Sequence, residues 1–279
     1  MIMKKIFPIL FLATFLISCE ESIHLDLDQT PSTVVIEGLV TNKAGIQSVK
    51  VSRTADFYSA GNTPRITNAL VTVKDDLGIE HVFVHNPRDA DDSTGIYIPE
   101  DGFIGEIGRT YTLTVDLDGA TYTATDDLVS VIPMDSLKYR FDEDEAEEPK
   151  DFGRAYELLL YAREPQDQTN FYLFKFYRND SLKYYSDTDI YFSDDKLLAE
   201  DIDGIESPIF FTLGDKATVE AYSLSRAGYV FYYDLSTILN NDAGGMFGPI
   251  PASPRTNLSN GALGFFQVSA VNTSTITLE

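Results

Sequence analysis

Residues 69–85 read ALVTVKDDLGIEHVFVH, two stretches in which apolar and polar residues alternate, separated by the turn-like segment KDDLG. Alternation with a period of two predicts β-strands with one buried face, because successive side chains of a strand point to opposite sides. Gly78 can adopt the positive φ that a tight hairpin turn requires. The segment therefore predicts a β-hairpin, and the rest of the chain extends this pattern outward from it.

The same period of two recurs on both sides of the hairpin. Residues 33–131 contain seven short strand patterns, a number typical of an immunoglobulin- or transthyretin-like β-sandwich. Beyond Pro133, residues 132–279 show further strands, and Ser225 precedes apolar residues at three- and four-residue spacing, which predicts one short α-helix near residues 226–240. The sequence thus predicts a mainly β fold with two sandwich-like domains.

The sequence also predicts the structure of three further segments in the second domain. The acidic run 142–148 is predicted to be a solvated loop, because so many carboxylates do not bury together. The acidic stretch 187–203 is interpreted in the same way. Residues 261–271 are predicted to form a terminal strand.

The first eighteen residues have the composition of a secretory signal. Lys4 and Lys5 precede an apolar stretch at residues 6–17. This stretch is too short to cross a hydrocarbon layer of ~30 Å, which takes about 20 residues in a helix. Residues 1–18 are therefore predicted to be a lipoprotein signal peptide, and no later segment is predicted to span a membrane.

The only cysteine of the chain stands directly after this signal. Residues 16–19 read LISC and match the lipobox of bacterial lipoproteins, in which the thiol receives diacylglycerol and fatty acids such as palmitate. The alternative is an ordinary signal peptide in which a cysteine occurs here by chance. The position of the single cysteine, directly after the signal, argues against this alternative. Residues 19–32 are thus predicted to be a tether lipidated at Cys19. Glu20 and Glu21 resemble the surface-export signal of such lipoproteins in Bacteroidetes-type bacteria, or they are simply solvated.

The acidic composition excludes several classes of partner and chemistry. The chain has 21 Lys and Arg against 44 Asp and Glu, a net charge of −23, so binding of nucleic acid or anionic lipid by charge is excluded. With one cysteine and three histidines, cysteine-rich metal sites and Cys–His catalysis are also excluded.

Two histidines lie four residues apart in the predicted hairpin. In a strand this spacing separates His81 and His85 by ~13 Å, too far for one zinc ion with Zn–N bonds of ~2.1 Å. We expect two solvent-facing strand histidines.

An imperfect calcium loop follows the hairpin. Asp89, Asp91, Ser93 and Glu100 occupy positions 1, 3, 5 and 12 of a calcium-binding loop, but position 6 is Thr94 where the sharp turn needs glycine. A turn with solvated acidic side chains is favoured, and calcium is the alternative, with the two acidic stretches above equally open to a cation.

Six tyrosines in the second half could form an aromatic platform for a ligand or pack half-buried in strands. The lack of tryptophan favours packing. They are Tyr184, Tyr185, Tyr191, Tyr229, Tyr232 and Tyr233.

Several short motifs recur in the order typical of one protein family. They are VVIEG at 34–38, NALVTV at 68–73, GIY at 95–97, GEIG at 105–108 before YTL at 111–113, GATY at 119–122, PMDSL at 133–137 and the segment 257–266. In these motifs and their order, the chain resembles a family of Bacteroidetes outer-membrane lipoproteins, domain of unknown function 4249. The first half is also similar to carboxypeptidase-regulatory or transthyretin-like sandwiches.

The resemblance implies a surface-exposed outer-membrane lipoprotein from a family often encoded near TonB-dependent receptors, and it brings no catalytic residues. We therefore expect a lipid-anchored binding or accessory lipoprotein that serves such a receptor in nutrient uptake, without a cofactor and without enzymatic activity. A structural or adhesive envelope protein is the alternative. A carboxylate-dependent glycosidase is a third hypothesis, and it would need two carboxylates ~5–9.5 Å apart in a cleft.

Overall fold

The computed structural model describes residues 32–55, 63–85, 93–147, 153–166, 169–197, 200–240 and 253–279. Within these residues the chain forms sixteen β-strands and two α-helices, so the predicted mainly β fold is confirmed. Residues 32–279 make one compact unit.

Eight strands form the first sheet, in the order β15-β1-β2-β5-β4-β3-β6-β7. They are β1 (Val34–Thr41), β2 (Ser48–Arg53), β3 (Leu70–Asp75), β4 (Glu80–His85), β5 (Ile96–Pro99), β6 (Thr110–Leu117), β7 (Ala120–Asp127) and β15 (Leu263–Ser269). The predicted hairpin is β3 and β4. Gly78 has φ of 89° at its turn, and the Asp75 carboxylate accepts hydrogen bonds from the amides of Leu77 and Ile79.

The inner face of this sheet holds one continuous core. On β6, Tyr111, Leu113, Val115 and Leu117 alternate with more exposed residues and are buried. All eight strands contribute side chains to the same buried cluster. Because a flat sheet cannot bring eight strands around one cluster, the sheet curls about its core.

The two outermost strands of this sheet, β7 and β15, are bridged by side chains. The Asn257 side chain bonds to the amide and carbonyl of Phe266 on β15, at 3.0 and 2.8 Å, and donates to the Thr125 carbonyl on β7 at 3.3 Å. From β7, Asp126 accepts a hydrogen bond from the Val268 amide on β15 (2.9 Å). These bonds satisfy backbone groups that an open edge would leave unpaired, and they close the sheet into a near-barrel.

β15 pairs across the two parts of the chain that the sequence assigns to different domains. Residues 33–131 hold the first seven strands, but β15, from the predicted second domain, completes their sheet by pairing parallel with β1. The terminal strand predicted over residues 261–271 is in fact followed, after the buried Ala270, by a second strand, β16 (Val271–Thr277), which belongs to another sheet. The chain therefore passes from one sheet to the other within a single residue.

The remaining strands form a sandwich of two antiparallel sheets. One sheet has the order β13-β9-β8, and the other has the order β11-β10-β14-β16 with β12 also paired to β10. Buried side chains of both sheets form one cluster. The strands are β8 (Met134–Phe141), β9 (Tyr156–Arg163), β10 (Phe171–Arg178), β11 (Ser181–Lys183), β12 (Tyr191–Asp194), β13 (Asp201–Phe211) and β14 (Lys216–Leu224).

The two sides of this sandwich differ. On one side β8 lies beside β16, where the Asn272 side chain accepts from the Met134 amide (3.2 Å) and the Tyr139 hydroxyl donates to the Glu279 carbonyl (2.7 Å). On the other side lie β12 and β13, and among the described residues each pairs with one strand only. The sandwich is therefore closed along β8 and β16 and open between β12 and β13.

Of the two helices, one lies where the sequence predicted a loop and the other lies where it predicted a helix. α1 (Glu143–Glu147) corrects the loop expected for the acidic run: Asp142 accepts the Glu145 amide (3.0 Å) as an N-cap, and acidic residues are favoured in a first helical turn. α2 (Arg226–Leu239) confirms the helix expected near residues 226–240, and Ser225 caps it by accepting the Gly228 amide (3.1 Å).

The acidic stretch 187–203 is also not a simple loop. It contains β12 and the first residues of β13. β13 shifts register against β9 between Asp203 and Ile205 and again between Glu206 and Phe210. Such bulges interrupt the period of two, which explains why the sequence pattern did not predict this strand in full.

Candidate functional site

Several predicted site residues lie outside the residues that the structure describes. This holds for Cys19, Glu20 and Glu21, and for Asp89 and Asp91 of the imperfect calcium loop. The other two members of that loop are described: Ser93 is buried and Glu100 is exposed. In the described ranges no group of three or more His, Cys, Asp or Glu is placed to hold a metal ion.

The expectation of two solvent-facing histidines is wrong. His81 and His85 both lie on the partly buried face of β4. His81 stacks on Phe103 with ring centroids 4.0 Å apart, and its Nδ1 lies 2.7 Å from Asp101, a hydrogen bond that lowers the pKa of this carboxyl group. His85 Nε2 accepts the Gly95 amide (3.0 Å). Both histidines hold neighbouring loop residues in place.

The six tyrosines do not form one platform. Tyr229 packs against Phe171 with ring centroids 4.7 Å apart, and Tyr232 donates to Gln267 (2.6 Å). Tyr184, Tyr185 and Tyr233 are about half exposed. Tyr191 lines a cavity inside the sandwich.

This cavity lies between the two sheets of the sandwich and has a volume of about 290 Å³. That is close to the lower limit for small-molecule sites, which typically measure ~300–1,000 Å³. Its wall is almost entirely aliphatic and aromatic. The lining side chains come from β8 to β10, β12 to β14 and the segment before β8: Ile132, Leu137, Leu158, Leu160, Tyr172, Phe174, Phe176, Tyr191, Phe192, Ser193, Ile202, Ile205, Glu206, Ser207, Pro208 and Val219.

The cavity reaches solvent on the open side of the sandwich. Among the described residues of its lining, only Ile205 and Glu206 of β13 are exposed, and Tyr191 to Ser193 of β12 are half-buried, whereas most of the others are buried. These two strand segments therefore form the mouth. The second bulge of β13, which includes Pro208, directly follows Glu206.

The serines that line the cavity are satisfied by the protein itself. Ser207 Oγ donates to the Ile209 carbonyl (2.8 Å) and accepts the Leu158 amide (3.0 Å). Ser193 Oγ donates to the Asp194 carbonyl (2.8 Å).

The two lining tyrosines are occupied in the same way. The Tyr172 hydroxyl donates to the buried carboxylate of Glu164 (2.8 Å), and burial raises the pKa of this phenol. The Tyr191 hydroxyl donates to Asp189 (3.1 Å), and burial raises the pKa of Tyr191 to about 12. Both phenols are thus neutral at ordinary pH, and the cavity presents hydrocarbon and ring faces to a guest.

One arginine links two carboxylates of the β13-β9-β8 sheet. Arg140 on β8 binds Glu206 through Nη2 and Glu157 on β9 through Nε. Burial raises the pKa of Glu157, because the buried charged form is less well solvated. Two carboxylates share one guanidinium here, so the cluster carries a net negative charge when all three groups are ionised.

The ion pairs of the carboxylates are relevant to the glycosidase hypothesis, which requires two carboxylates in a cleft. In the described part of the chain carboxylates converge on an arginine twice: Glu157 and Glu206 on Arg140, and Asp75 and Asp76 on Arg109. Each pair is bound by its guanidinium and does not present a separate acid and base to a cleft. Nothing among the described residues indicates catalysis.

The cavity was not predicted, although Tyr191 was singled out. The only sequence signal is β10, FYLFKFYR, which is apolar on both faces as expected of a strand covered on both sides. An unfilled space depends on the size of side chains that face each other from different sheets, and local periodicity does not carry this information.

None of the described helices is both long and apolar enough to cross a membrane. A comparison with protein families matches residues 20–275 to a family described as Domain of unknown function (DUF4249). No curated protein matches the chain.

Proposed function

This chain belongs to the DUF4249 family, and from that premise we propose that it is a lipid-anchored, surface-exposed lipoprotein of the outer membrane that binds a small apolar ligand. The observation that carries the binding half of the proposal is the cavity between the sheets. It combines an apolar wall with a mouth to solvent, the arrangement typical of small-molecule sites.

The expected affinity follows from the area that the cavity removes from water. A ligand that buries about ten methylene groups gains about 8 kcal/mol in gross transfer free energy. Lost translational and rotational freedom reduces this gain. We therefore expect a dissociation constant of about 1 μM or weaker.

The binding half is tested with N-phenyl-1-naphthylamine, an uncharged dye that fluoresces in apolar surroundings. We expect saturable binding at one dye per chain. Val219→Phe, which directs a ring into the cavity from β14, should weaken it at least tenfold. Thr218→Phe is the matched control, because its side chain lies on the opposite face of the same strand and is half-buried.

If Val219→Phe does not fold, as judged by its thermal melt, the mouth offers a second variant. Ile205→Trp should obstruct the entrance, whereas Leu213→Trp places the same ring at an exposed position outside the lining. Dye binding that is not saturable, or that falls equally in test and control variants, would contradict the proposal.

The anchoring half rests on the lipobox at residues 16–19. Acyl chains at Cys19 contribute ~0.8 kcal/mol for each buried methylene, and two or more chains give stable anchoring. Cys19→Ala should therefore release the protein from the membrane fraction. Ser18→Ala, which keeps a small residue before the cysteine, should remain bound; the same distribution for both variants would refute lipidation.

The accessory role with a TonB-dependent receptor is supported by the family resemblance. It predicts that a β-barrel protein co-purifies with the chain in gentle detergent. Recovery of free monomer alone would contradict it. A deletion that impairs adhesion or envelope integrity and leaves uptake unchanged would favour the structural or adhesive alternative.

A further inference from the structure

A groove lies between α2 and the outer face of the first sheet, apart from the cavity inside the sandwich. It has a volume of about 360 Å³, and strands β1, β2, β5, β10 and β15 contribute to its lining together with α2. Three charged residues line it: Glu37, Lys50 and Lys175. We propose that this α2 groove binds a small organic anion, an apolar body with one carboxylate or sulfonate group, and that the amine of Lys175 holds the anionic group.

The pairing of the strands places the groove on the outer face of the first sheet. Glu37 of β1 is paired with Lys50 of β2 on one side and with Phe265 of β15 on the other, and residues paired directly across a sheet project to the same side. Ile36, the neighbour of Glu37 along β1, belongs to the core. α2 covers the outer face, where the ring of Phe231 stacks on Phe265 with centroids 5.0 Å apart.

Lys175 lines the groove from β10. Its neighbours along this strand, Phe174 and Phe176, line the cavity of the sandwich, so Lys175 projects from the opposite face of the sheet. On that opposite face Leu173 belongs to a buried cluster against which Tyr232 of α2 packs. The groove and the cavity therefore lie on different faces of β10, and ligand binding to each can be tested independently.

The amine of Lys175 has neither an ion pair nor a hydrogen bond to any residue that the structure describes, and its Nζ lies 4.3 Å from the centroid of the Tyr222 ring. The carboxylate of Glu220, directly across the sheet from Lys175, instead accepts hydrogen bonds from the hydroxyls of Tyr177 and Tyr222 at 3.0 and 2.8 Å. Burial lowers the pKa of Lys175, because the buried ammonium is less well solvated, and the charge of Glu220 offsets this shift in part. An anion bound at the amine would provide the ion-pair partner that the fold does not supply.

The other two charges of the lining neutralise each other. Lys50 binds Glu37 at 2.7 Å, so Lys175 is the unpaired charge of the described lining. The groove thus attracts an anionic group locally, in a chain whose net charge is −23.

The rest of the groove suits an apolar body. Leu39, Ile96 and Leu235 line it from three different elements. A dry apolar cavity of about 150 Å³ takes up benzene, so a groove of about 360 Å³ has room for a body of two or three aromatic rings.

The test uses two dyes with the same ring system. 8-Anilino-1-naphthalenesulfonate is N-phenyl-1-naphthylamine with one added sulfonate group, so the two dyes differ in charge and share their apolar body. We expect saturable binding of the sulfonate dye. Lys175→Met, which removes the charge and keeps an unbranched side chain, should weaken this binding at least about tenfold, and Lys175→Arg should keep it within about threefold.

Lys138→Met is the matched control. The Nζ of Lys138 lies 4.4 Å from the centroid of the Tyr161 ring, the same kind of contact as in Lys175, but Lys138 is exposed and lies outside the groove lining. Its replacement should leave the affinity for the sulfonate dye unchanged. If Lys175→Met does not fold, as judged by its thermal melt, Ser48→Phe should weaken the sulfonate dye instead, because it places a ring in the groove from β2.

The uncharged dye separates this inference from the proposed function. Lys175→Met should leave its affinity unchanged, whereas Val219→Phe should weaken it and leave the Lys175-dependent binding of the sulfonate dye intact. If the uncharged dye does not bind, the proposed function fails and the groove is unaffected. An unchanged affinity for the sulfonate dye in Lys175→Met overturns the inference, as does an equal loss in Lys175→Arg or in Lys138→Met, because either result removes the charge at Lys175 as the cause.

Discussion

The first sheet closes on itself, whereas the sandwich formed by the second half of the chain stays open along one side. In the first sheet Asn257 and Asp126 bridge the outermost strands, and side chains from all eight strands pack into one core. In the sandwich, β12 and β13 keep separate partners, and a cavity lies behind them. The comparison indicates that the closed sheet gathers its buried side chains into one continuous core, whereas the unclosed pair of edges lies beside a cavity with room for a guest.

The largest expected effect compares one leucine from each region. Leu113→Ala on β6 removes a fully buried side chain from the core of the first sheet and should cost about 4–5 kcal/mol of unfolding free energy. Leu160→Ala on β9 should cost only about 2–3 kcal/mol, because this side chain already borders the cavity and has fewer contacts to lose. Urea unfolding followed by circular dichroism measures both, and equal losses would show that the two cores are packed alike.

The second prediction concerns the bridge that closes the first sheet. Burial raises the pKa of Asp126 to about 6, above the ordinary value of 3.8. The folded state thus holds this proton more tightly than the unfolded state, so the group favours folding most below about pH 4 and its contribution falls as the pH rises towards 6 and above. The full effect is at most about 3 kcal/mol.

Asp126→Asn keeps an oxygen to accept the Val268 amide and removes the titration. Its unfolding free energy should exceed that of the parent above pH 7, and the difference should vanish near pH 4. The exposed neighbour provides the control variant, Asp127→Asn. A parallel pH dependence for the parent and Asp126→Asn would contradict the assignment.

The smallest effect is expected at the clamp on α2. Asp234 is buried and accepts Nε and Nη2 of Arg255 at 2.7 and 2.8 Å, which lowers the pKa of this carboxyl group. Arg255→Ala should lower Tm by about 2–4 °C at pH 7. The lowered pKa of Asp234 stabilises the fold above about pH 4, and this gain is lost as the pH falls. The difference in Tm between the parent and Arg255→Ala should therefore shrink on acidification. This pH dependence has the opposite sign to that of Asp126.

Arg163→Ala is the matched control for this clamp, because Arg163 and Asp201 are both largely exposed at 3.4 Å, and such pairs contribute little. A loss as large as that of Arg255→Ala would show that burial of the carboxylate is not the cause.

Local features of the fold were predictable from the sequence, and pairings distant in sequence were not. The hairpin of β3 and β4 and the helix α2 follow from residue periodicity and from Gly78 and Ser225, which act within a few residues. The parallel pairing of β1 with β15 joins the two ends of the fold, and no local pattern specifies a strand's partner. The bulges of β13 interrupt the two-residue alternation of apolar and polar residues by which a strand is recognised in a sequence.

Less of the candidate site than of the fold could be predicted from the sequence. The cavity depends on facing side chains such as Leu158 and Phe176, which approach each other only once the sheets stack. The acidic run became a helix because Asp142 caps it, although its composition favoured a loop. Cys19, on which the expected anchoring depends, lies outside the described residues and stays a prediction.

The most direct test of the contrast between the two regions is to locate a bound apolar ligand. A decanol analogue carrying a diazirine, activated by light and mapped by mass spectrometry, should label peptides that contain residues 172–176, 191–193 or 205–208, and unlabelled decanol should prevent this. Labelling within residues 34–127, or labelling that decanol does not reduce, would contradict the assignment of the open sandwich as the binding compartment.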